Sequence, residues 1–259
     1  MANVNEQETQ AVKTFFTDKS DDYADLFAGR RTGRHFEFGQ RLQFALELTR
    51  DCQGSFFDCA TGSGEITAAI LAGGRFNQAT VADLSARMVE LSRQRIESQL
   101  RGKPPVRLEM LNADIFKFAA ENAQRRFNLI LCLGLIAHTG RLPELLQGLT
   151  RMLHPDGAIL LQATLSDHLG VRLFRALTEK RHIRRQGYRI SNFRRWEILQ
   201  AAQDAGLKLV AQRRYGLCLP FGDKIWARGN YRLEKAFQGW SKLHGGEELY
   251  LLRRERAGH

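Results

Sequence analysis

A ten-residue run at positions 56–65 holds the residue types most able to bind a ligand. It reads FFDCATGSGE, and it follows an apolar stretch and precedes a helix-forming one. Glycines in such a turn let the backbone bend sharply and approach a ligand without interference from a Cβ atom. Many doubly wound proteins have a glycine turn at this place, so the turn predicts a binding site without identifying the ligand.

Two aspartates further along the chain narrow the choice of ligand. Asp83 lies nineteen residues after Gly64, at the end of a predicted strand. A carboxylate there can accept hydrogen bonds from both hydroxyls of a ribose. Asp114 follows the next predicted strand, where a carboxylate can accept from the exocyclic amine of adenine while Ile115 packs on the ring. The spacing therefore predicts a nucleotide-like ligand.

Two common phosphate-binding patterns fit the turn poorly. A dinucleotide turn needs a third glycine for close contact between helix and strand, and Thr67 stands at that place in the run Gly62 to Thr67. A Walker turn needs Gly-Lys-Ser/Thr after the glycines, and this sequence does not have it.

Strands and helices alternate around this turn and must position its residues. Five short apolar runs predict strands at Ser55–Cys59, Ala79–Asp83, Val106–Leu111, Phe127–Leu133 and Ala158–Ala163. Helix-forming segments separate them at Glu65–Leu71, Ala86–Leu100, Phe116–Asn122 and Leu142–Leu153. Two further strands are expected at Leu207–Arg213, after a helix at Trp196–Ala205, and at Glu248–Leu252. The alternation predicts an α/β fold with a doubly wound, seven-stranded, mostly parallel sheet.

The segments outside the alternation predict a cover for one end of the sheet. Helices are expected at Glu6–Phe16 and Phe36–Thr49, as an N-terminal helical lid over residues 1–52. The stretches His168–Phe193 and Leu217–Gly246 do not fit the alternation, and they predict caps at 166–195 and 215–246 beyond the strand ends where ligands bind. One domain is expected over 1–259, with the ligand-binding core at 53–165.

Four motifs that occur in order make the chain resemble the class I S-adenosylmethionine-dependent methyltransferases. The family's D/E-x-G-x-G-x-G turn is matched by Asp58, Ala60, Gly62 and Gly64, with alanine at the first glycine position. Its D-x-S-x-x-M ribose motif is similar to residues 83–88, its adenine-site aspartate to Asp114, and its R-x-L-x-P-G-G turn to residues 151–157. The resemblance covers about residues 53–165 and 192–214. It implies a Rossmann-like sheet and S-adenosylmethionine as cofactor.

The resemblance also implies a role for each matching residue. Asp83 is expected to hold the ribose hydroxyls, Asp114 the adenine amine, and the turn the methionine end. Asp58 is expected to order the turn or to meet the methionine ammonium through water. The predicted cofactor contacts are Tyr23, Asp58, Ala60, Gly62, Gly64, Asp83, Leu84, Met88, Asp114, Ile115 and Leu133. Helix-core packing is the alternative role for Met88, and loop packing is the alternative for Tyr23.

The acceptor of the methyl group is less defined. The N/D-P-P-Y/F segment typical of enzymes that methylate base amines does not follow the fourth strand, and Cys132 lacks the adjacent proline of RNA cytosine enzymes. Both observations favour a small or lipid-like acceptor, methylated on O or N, over nucleic acid. His138, just past that strand, is the candidate catalytic base, because a neutral imidazole can accept a proton near physiological pH. A structural role in the loop is its alternative, and His35 is a second candidate.

Charge and composition limit the partners. The 259 residues carry a formal net charge of +11, which favours anionic partners. Nine basic residues and one acidic residue lie from Arg172 to Arg195, either as a solvated face or as a patch that attracts an anionic acceptor. Apolar residues from Leu217 to Trp240 can line an acceptor pocket or rest on an amphiphilic surface.

Cysteine usage and hydropathy predict a cytoplasmic protein. The four cysteines are far apart, no cluster has metal-ligand spacing, and no run of eighteen apolar residues occurs. We therefore expect reduced thiols, no metal and no transmembrane segment. An RNA methyltransferase and a non-catalytic module that binds S-adenosylmethionine stay open as alternative functions.

Overall fold

The computed structural model describes residues 2–20 and 32–255, and a seven-stranded sheet forms their centre. Its strands are β1 Gly54–Asp58, β2 Phe76–Asp83, β3 Arg107–Asn112, β4 Phe127–Cys132, β5 Leu153–Thr164, β6 Leu207–Tyr215 and β7 Glu247–Arg254. They lie in the order β3-β2-β1-β4-β5-β7-β6. The pairs from β3 to β5 are parallel, and β7 is antiparallel to both of its neighbours. The predicted fold class is therefore confirmed.

Helices cover both faces of the sheet. In chain order they are α1 Ala2–Asp18, α2 Gly33–Leu48, α3 Glu65–Leu71, α4 Ala86–Leu100, α5 Ile115–Glu121, α6 Ile136–Thr139, α7 Leu142–Met152, α8 Leu169–Gln186, α9 Arg195–Asp204, α10 Gly222–Ala236 and α11 Gln238–His244. Across the described ranges, no helix combines the length and the apolar character needed to cross a membrane.

The core consists of two apolar layers, one on each side of the sheet. Phe56 and Phe57 are neighbours on β1, so their side chains point to opposite faces. Phe56 packs with Phe44 and Ile96, on the side of α2 and α4. Phe57 packs with Leu145, on the side of α7. Because both faces are covered, the strands read as continuous apolar runs and not as alternating ones.

The segments that the strand–helix alternation did not accommodate contain three helices. The stretch 168–193 contains α8, and 217–246 contains α10 and α11. Helix α10 packs against α2. The Asp223 carboxylate accepts hydrogen bonds from the backbone N–H groups of Gly33 at 2.7 Å and Arg34 at 2.9 Å, and so caps the start of α2. Contacts from the second insertion thus position the helix that supplies one wall of the cavity described below.

A buried carboxyl pair also joins α10 to α2. Glu234 accepts hydrogen bonds from the backbone N–H of Leu217 at 2.9 and 3.1 Å, and it is hydrogen-bonded to Glu37. Burial, followed by the nearby Glu37 charge, raises the pKa of Glu234 to about 9. Two carboxylates this close cannot both be ionised at low cost, so the pair holds a proton at neutral pH.

We expect Glu234→Gln to flatten the pH dependence of stability. The folded-state pKa of Glu234 lies above its ordinary value of 4.5. The stability that the protonated Glu234 adds to the folded state is therefore complete below pH 4.5 and is lost as the pH rises towards 9. The free energy of unfolding of the wild type should fall over this window by up to about 1.4 kcal/mol per pH unit from this group. Urea unfolding at several pH values measures the slope.

An exposed carboxylate provides the control for this prediction. Glu121→Gln, at the end of α5, removes a carboxylate that is exposed and should keep the wild-type slope. Equal slopes for the wild type and Glu234→Gln would show that the pair does not hold the extra proton.

Candidate active site

Four neighbouring strands deliver the predicted residues to one cavity at their carboxyl ends. Asp114 follows β3, Asp83 ends β2, the glycine turn follows β1, and His138 follows β4. All of these positions line the same cavity. Because neighbouring strands lie about 4.8 Å apart, the row spans about 14 Å. Such a row suits an elongated ligand whose successive parts meet successive strands.

Asp58 holds the glycine turn in shape. It is buried at the end of β1, where Oδ1 accepts a hydrogen bond from the backbone N–H of Ala60 at 3.2 Å and Oδ2 accepts one from the Thr67 hydroxyl. Burial raises the pKa of Asp58 to about 6, against the lowering effect of the Thr67 hydrogen bond. The buried carboxylate thus connects the glycine turn to α3. Asp58 is also among the residues that line the cavity.

Asp83 connects the two loops on either side of it. Its Oδ2 accepts a hydrogen bond from the backbone N–H of Gly62 at 3.0 Å, and its Oδ1 accepts one from Ser85 at 2.9 Å. Burial raises the pKa of Asp83 against these hydrogen bonds. Each carboxylate oxygen has a second lone pair, so the group can still accept from two hydroxyls of a ligand.

Asp114 combines helix capping with a place on the cavity wall. Its Oδ1 accepts hydrogen bonds from the backbone N–H groups of Phe116 at 2.8 Å and Lys117 at 3.2 Å, which caps α5. Its Oδ2 accepts no hydrogen bond from the residues that the structure describes, and it can accept one from a ligand amine. Leu84 and Ile115 line the same part of the wall and can pack on a planar ring.

Two predicted contacts lie off the cavity wall. Met88 is fully buried in α4, and Gly64, the N-cap residue of α3, lies against Ser92 of α4. Neither is among the residues that line the cavity. The placement of Met88 agrees with its alternative role in the helix core. The other predicted contacts within the described residues, including Ala60 and Leu133, do line the cavity. Tyr23 lies outside the described residues.

Helix α1 covers the cavity from the loop after β2 to His138 after β4. Val12 and Phe16 line the cavity. The hydroxyls of Thr17 and Ser85 lie 3.0 Å apart, which ties the helix to the loop after β2. At the other side, the Phe16 ring meets the His138 ring edge-on at 4.8 Å. The N-terminal helices therefore supply the cover, and no residue of the two insertions is among those that line the cavity.

Arg41 is a cavity residue that the sequence patterns did not indicate. It lies on α2, next to Phe38 on the cavity wall, and its guanidinium carbon is 5.6 Å from the Phe38 ring centre. Its Nε is buried without a hydrogen-bond partner among the described residues. A guanidinium placed this way suits a carboxylate ligand. The spacing of Phe38 and Arg41, three residues apart on one helix face, is the signal available in the sequence.

His138 stands at the β4 end of the row, on the short helix α6. Its Nδ1 lies 3.2 Å from the Tyr188 hydroxyl. Burial, followed by the His182 charge, lowers the pKa of His138 to about 4. The ring is therefore neutral at physiological pH. His35, the second candidate, is not among the cavity-lining residues, and its backbone N–H donates to the Thr32 hydroxyl at 3.0 Å in the cap of α2.

The fold and this arrangement define a class I S-adenosylmethionine-dependent methyltransferase. A family model described as a methyltransferase domain matches residues 30–212, and the chain belongs to this family. Its enzymes use S-adenosylmethionine as cofactor. No curated protein sequence matches the chain.

Solved structures share this fold at low sequence identity. Magnesium protoporphyrin IX methyltransferase from Synechocystis PCC 6803 has a TM-score of 0.66 and 13% identity, over 96% of this chain and 100% of that chain. A possible histamine N-methyltransferase from Thermotoga maritima has a TM-score of 0.62 and 14% identity, over 94% and 99%. The N-methyltransferase NodS from Bradyrhizobium japonicum WM9 has a TM-score of 0.53 and 13% identity, over 84% and 87%.

Proposed function

We propose that this chain transfers the methyl group of S-adenosylmethionine to an oxygen or nitrogen of a small or lipid-like acceptor, which can be anionic. The observation that carries the proposal is the row of Asp114, Asp83, the glycine turn and His138 along one cavity. Three of these positions suit the parts of the cofactor, and the fourth is left for the acceptor.

The cofactor is assigned part by part along the row. Adenine lies between Leu84 and Ile115, with its amine on Asp114. The ribose hydroxyls bind Asp83, and the methionine end meets residues 60–63 of the turn. Arg41, with its buried Nε, pairs with the methionine carboxylate. This assignment satisfies both ends of the ligand with charged or polar partners already present on the wall.

The acceptor site is assigned to the β4 end, between His138 and helix α1. Val12, Phe16 and Leu135 make this part of the wall apolar, which suits a small or lipid-like molecule. The cover by α1 favours an acceptor that fits beneath a helix over a folded RNA. The porphyrin methyltransferase and the possible histamine methyltransferase among the structural neighbours support a small acceptor.

The chain contributes mainly orientation and a dry environment to the transfer. The cofactor supplies a sulfonium methyl group that is open to in-line attack. The cavity walls hold the attacking atom in line and exclude water, which supports a reaction that needs no strong base. The neutral His138 ring accepts the proton that the acceptor releases, or orients its hydroxyl or amine by a hydrogen bond.

We expect His138→Ala to lower kcat by about 100-fold, the lower end of the range for a general base, because a ring with so low a pKa is a weak base. The affinity for S-adenosylmethionine should stay within about twofold, since the ring lies at the acceptor end. With its pKa near 4, His138 stays neutral between pH 6 and 8. The contribution of His138 to kcat should therefore not change over this range. A wild-type kcat that changes with pH around 6.5, together with a pH-independent kcat in His138→Ala, would contradict the neutral state of His138 over this range.

Methyl transfer from labelled S-adenosylmethionine to a cell extract tests the proposed function. We expect label in the organic or small-molecule fraction, resistant to ribonuclease. Label that ribonuclease removes from the macromolecular fraction would identify an RNA methyltransferase instead. Bound cofactor with no labelled product under any condition would identify a non-catalytic module.

A further inference from the structure

Helix α8 exposes most of its large apolar residues, and Val171 is the one residue that it buries. Leu169, Leu173 and Leu177 have 75%, 51% and 60% of their surface exposed. Spaced four residues apart, they lie on successive turns of one face. The half-buried positions on the opposite side are Arg175, Thr178, Glu179 and His182. A helix that only covers a core turns its leucines towards that core, so the three outward leucines indicate a binding partner.

Positive charge extends the same face of α8. Lys180 and Arg184 continue the line of leucines, and Arg181 and Arg185 flank it. All four are exposed. The ion pairs of this helix with other described residues use Glu179, which binds Arg175 and Arg189. The four outward cations are therefore unpaired within the described part of the chain. From Leu169 to Arg184 the line is about 22 Å long.

The start of α10 adds a second exposed apolar segment beside α8. The Phe221 ring, just before α10, lies 5.5 Å from the Phe174 ring of α8. In the next residues, Ile225 and Trp226 are 80% and 62% exposed, with the exposed Lys224 before them. Aliphatic, aromatic and cationic groups therefore occur together here, as they do on α8 with its exposed Phe174.

We propose that this docking face, Leu169–Arg185 with Lys224–Trp226, binds the surface of an anionic lipid bilayer. Leucine and isoleucine side chains can enter the boundary between headgroups and acyl chains, while lysine and arginine remain at the phosphates. Phe174 and Trp226 suit either a bilayer or RNA, but the leucines of α8 and Ile225 have no ring to stack on bases. Because these aliphatic side chains are the more numerous, the face favours a bilayer over RNA.

Docking would also bring the bilayer close to helix α1, which lines the cavity. The inner side of α8 contacts α1, where the Phe15 ring lies 6.4 Å from the His182 ring. Helix α1 is the cover of the cavity. A bilayer bound to the outer side of α8 would therefore lie one helix away from that cover. The inference does not depend on the acceptor assigned above.

Vesicle binding of the full-length protein tests the inference. We expect sedimentation with equimolar phosphatidylcholine and phosphatidylglycerol vesicles, and little with phosphatidylcholine alone. The charge variant combines Lys180→Gln, Arg181→Gln, Arg184→Gln and Arg185→Gln. It should bind anionic vesicles at least about tenfold more weakly, because each cation near an anionic leaflet strengthens binding several-fold. Its matched control removes the same charge from exposed sites elsewhere, by Arg101→Gln, Lys103→Gln, Arg107→Gln and Lys208→Gln, and should bind as the wild type does.

A second variant separates bilayer insertion from simple charge attraction. It combines Leu169→Ser, Leu173→Ser and Leu177→Ser, which leave the net charge unchanged and touch only exposed side chains. We expect binding at least about tenfold weaker and an unchanged melting temperature. The inference is overturned if anionic vesicles do not sediment the protein, if both charge variants lose equal affinity, or if the leucine variant binds normally. It is also overturned if the charge variant loses affinity only for RNA.

Discussion

Asp83→Ala should raise the Kd for S-adenosylmethionine by at least about 100-fold. The carboxylate accepts from the backbone N–H groups of Gly62 and Ser85, and we assign the ribose hydroxyls to the same oxygens. Hydrogen bonds to a charged group contribute about 1.5–3 kcal/mol each, so the loss of two explains the expected factor. Isothermal titration calorimetry with the cofactor or its demethylated product measures the effect.

A cofactor analogue distinguishes ribose binding from loop ordering. If Asp83 binds the ribose, Asp83→Ala should lose much less affinity for the demethylated product without its 2′ and 3′ hydroxyls than for the natural ligand. If the carboxylate only orders the loops, the variant should lose as much affinity for the analogue as for the natural ligand. This pair of ligands and proteins forms a double-mutant cycle, which isolates the coupling between the carboxylate and the hydroxyls. Asp204→Ala, at the exposed end of α9, is the control and should bind as the wild type does.

The parts of the site that the sequence predicted are those fixed by strand ends. Asp58, Asp83 and Asp114 each follow or end a parallel strand, and neighbouring parallel strands bring such positions to one edge. Their order along the chain, combined with the order of the strands, therefore determines a row. The same reasoning does not fix the direction of a helical side chain, and Met88 points into the core although it stands at a motif position.

The unpredicted parts depend on contacts between elements that are distant in sequence. Phe16 and Arg41 reach the cavity because α1 and α2 pack over strand ends that come later in the chain. No local pattern specifies that packing. Helix α8 was not predicted because the stretch 168–193 does not fit the strand–helix alternation, although the four-residue spacing of Leu169, Leu173 and Leu177 is a helical signal in the sequence. The sequence does not show which way this leucine face points, and that direction is what indicates a partner.

Gly64→Ala should mainly lower stability, whereas Gly62→Ala should mainly weaken cofactor binding, although both change the same turn. Gly64 has φ +83°, and a Cβ atom there would lie 2.7 Å from Ser92 Cβ and 2.8 Å from Ser92 Cα. The backbone of α4 must move to accept it. Left-handed strain of about 1–2 kcal/mol and overpacking of about 1–3 kcal/mol add to about 3 kcal/mol of lost stability. For a chain of this size we expect a melting temperature lower by about 10 °C, with the Kd for cofactor nearly unchanged at temperatures where the variant is folded.

Gly62 has φ +54°, and a Cβ atom there would meet no protein atom within 4 Å. Its Ala variant therefore carries the left-handed strain of about 1–2 kcal/mol alone. Because Gly62 lines the cavity, the added methyl group enters the space that we assign to the methionine end of the cofactor. The Kd should rise at least about tenfold, since close approach of the backbone is what a glycine at this place permits. Thermal unfolding and calorimetry of both variants measure the contrast. Wild-type affinity of Gly62→Ala for the cofactor would show that the cofactor does not bind at the turn. Wild-type stability of Gly64→Ala would show that α3 and α4 are not in contact at this residue.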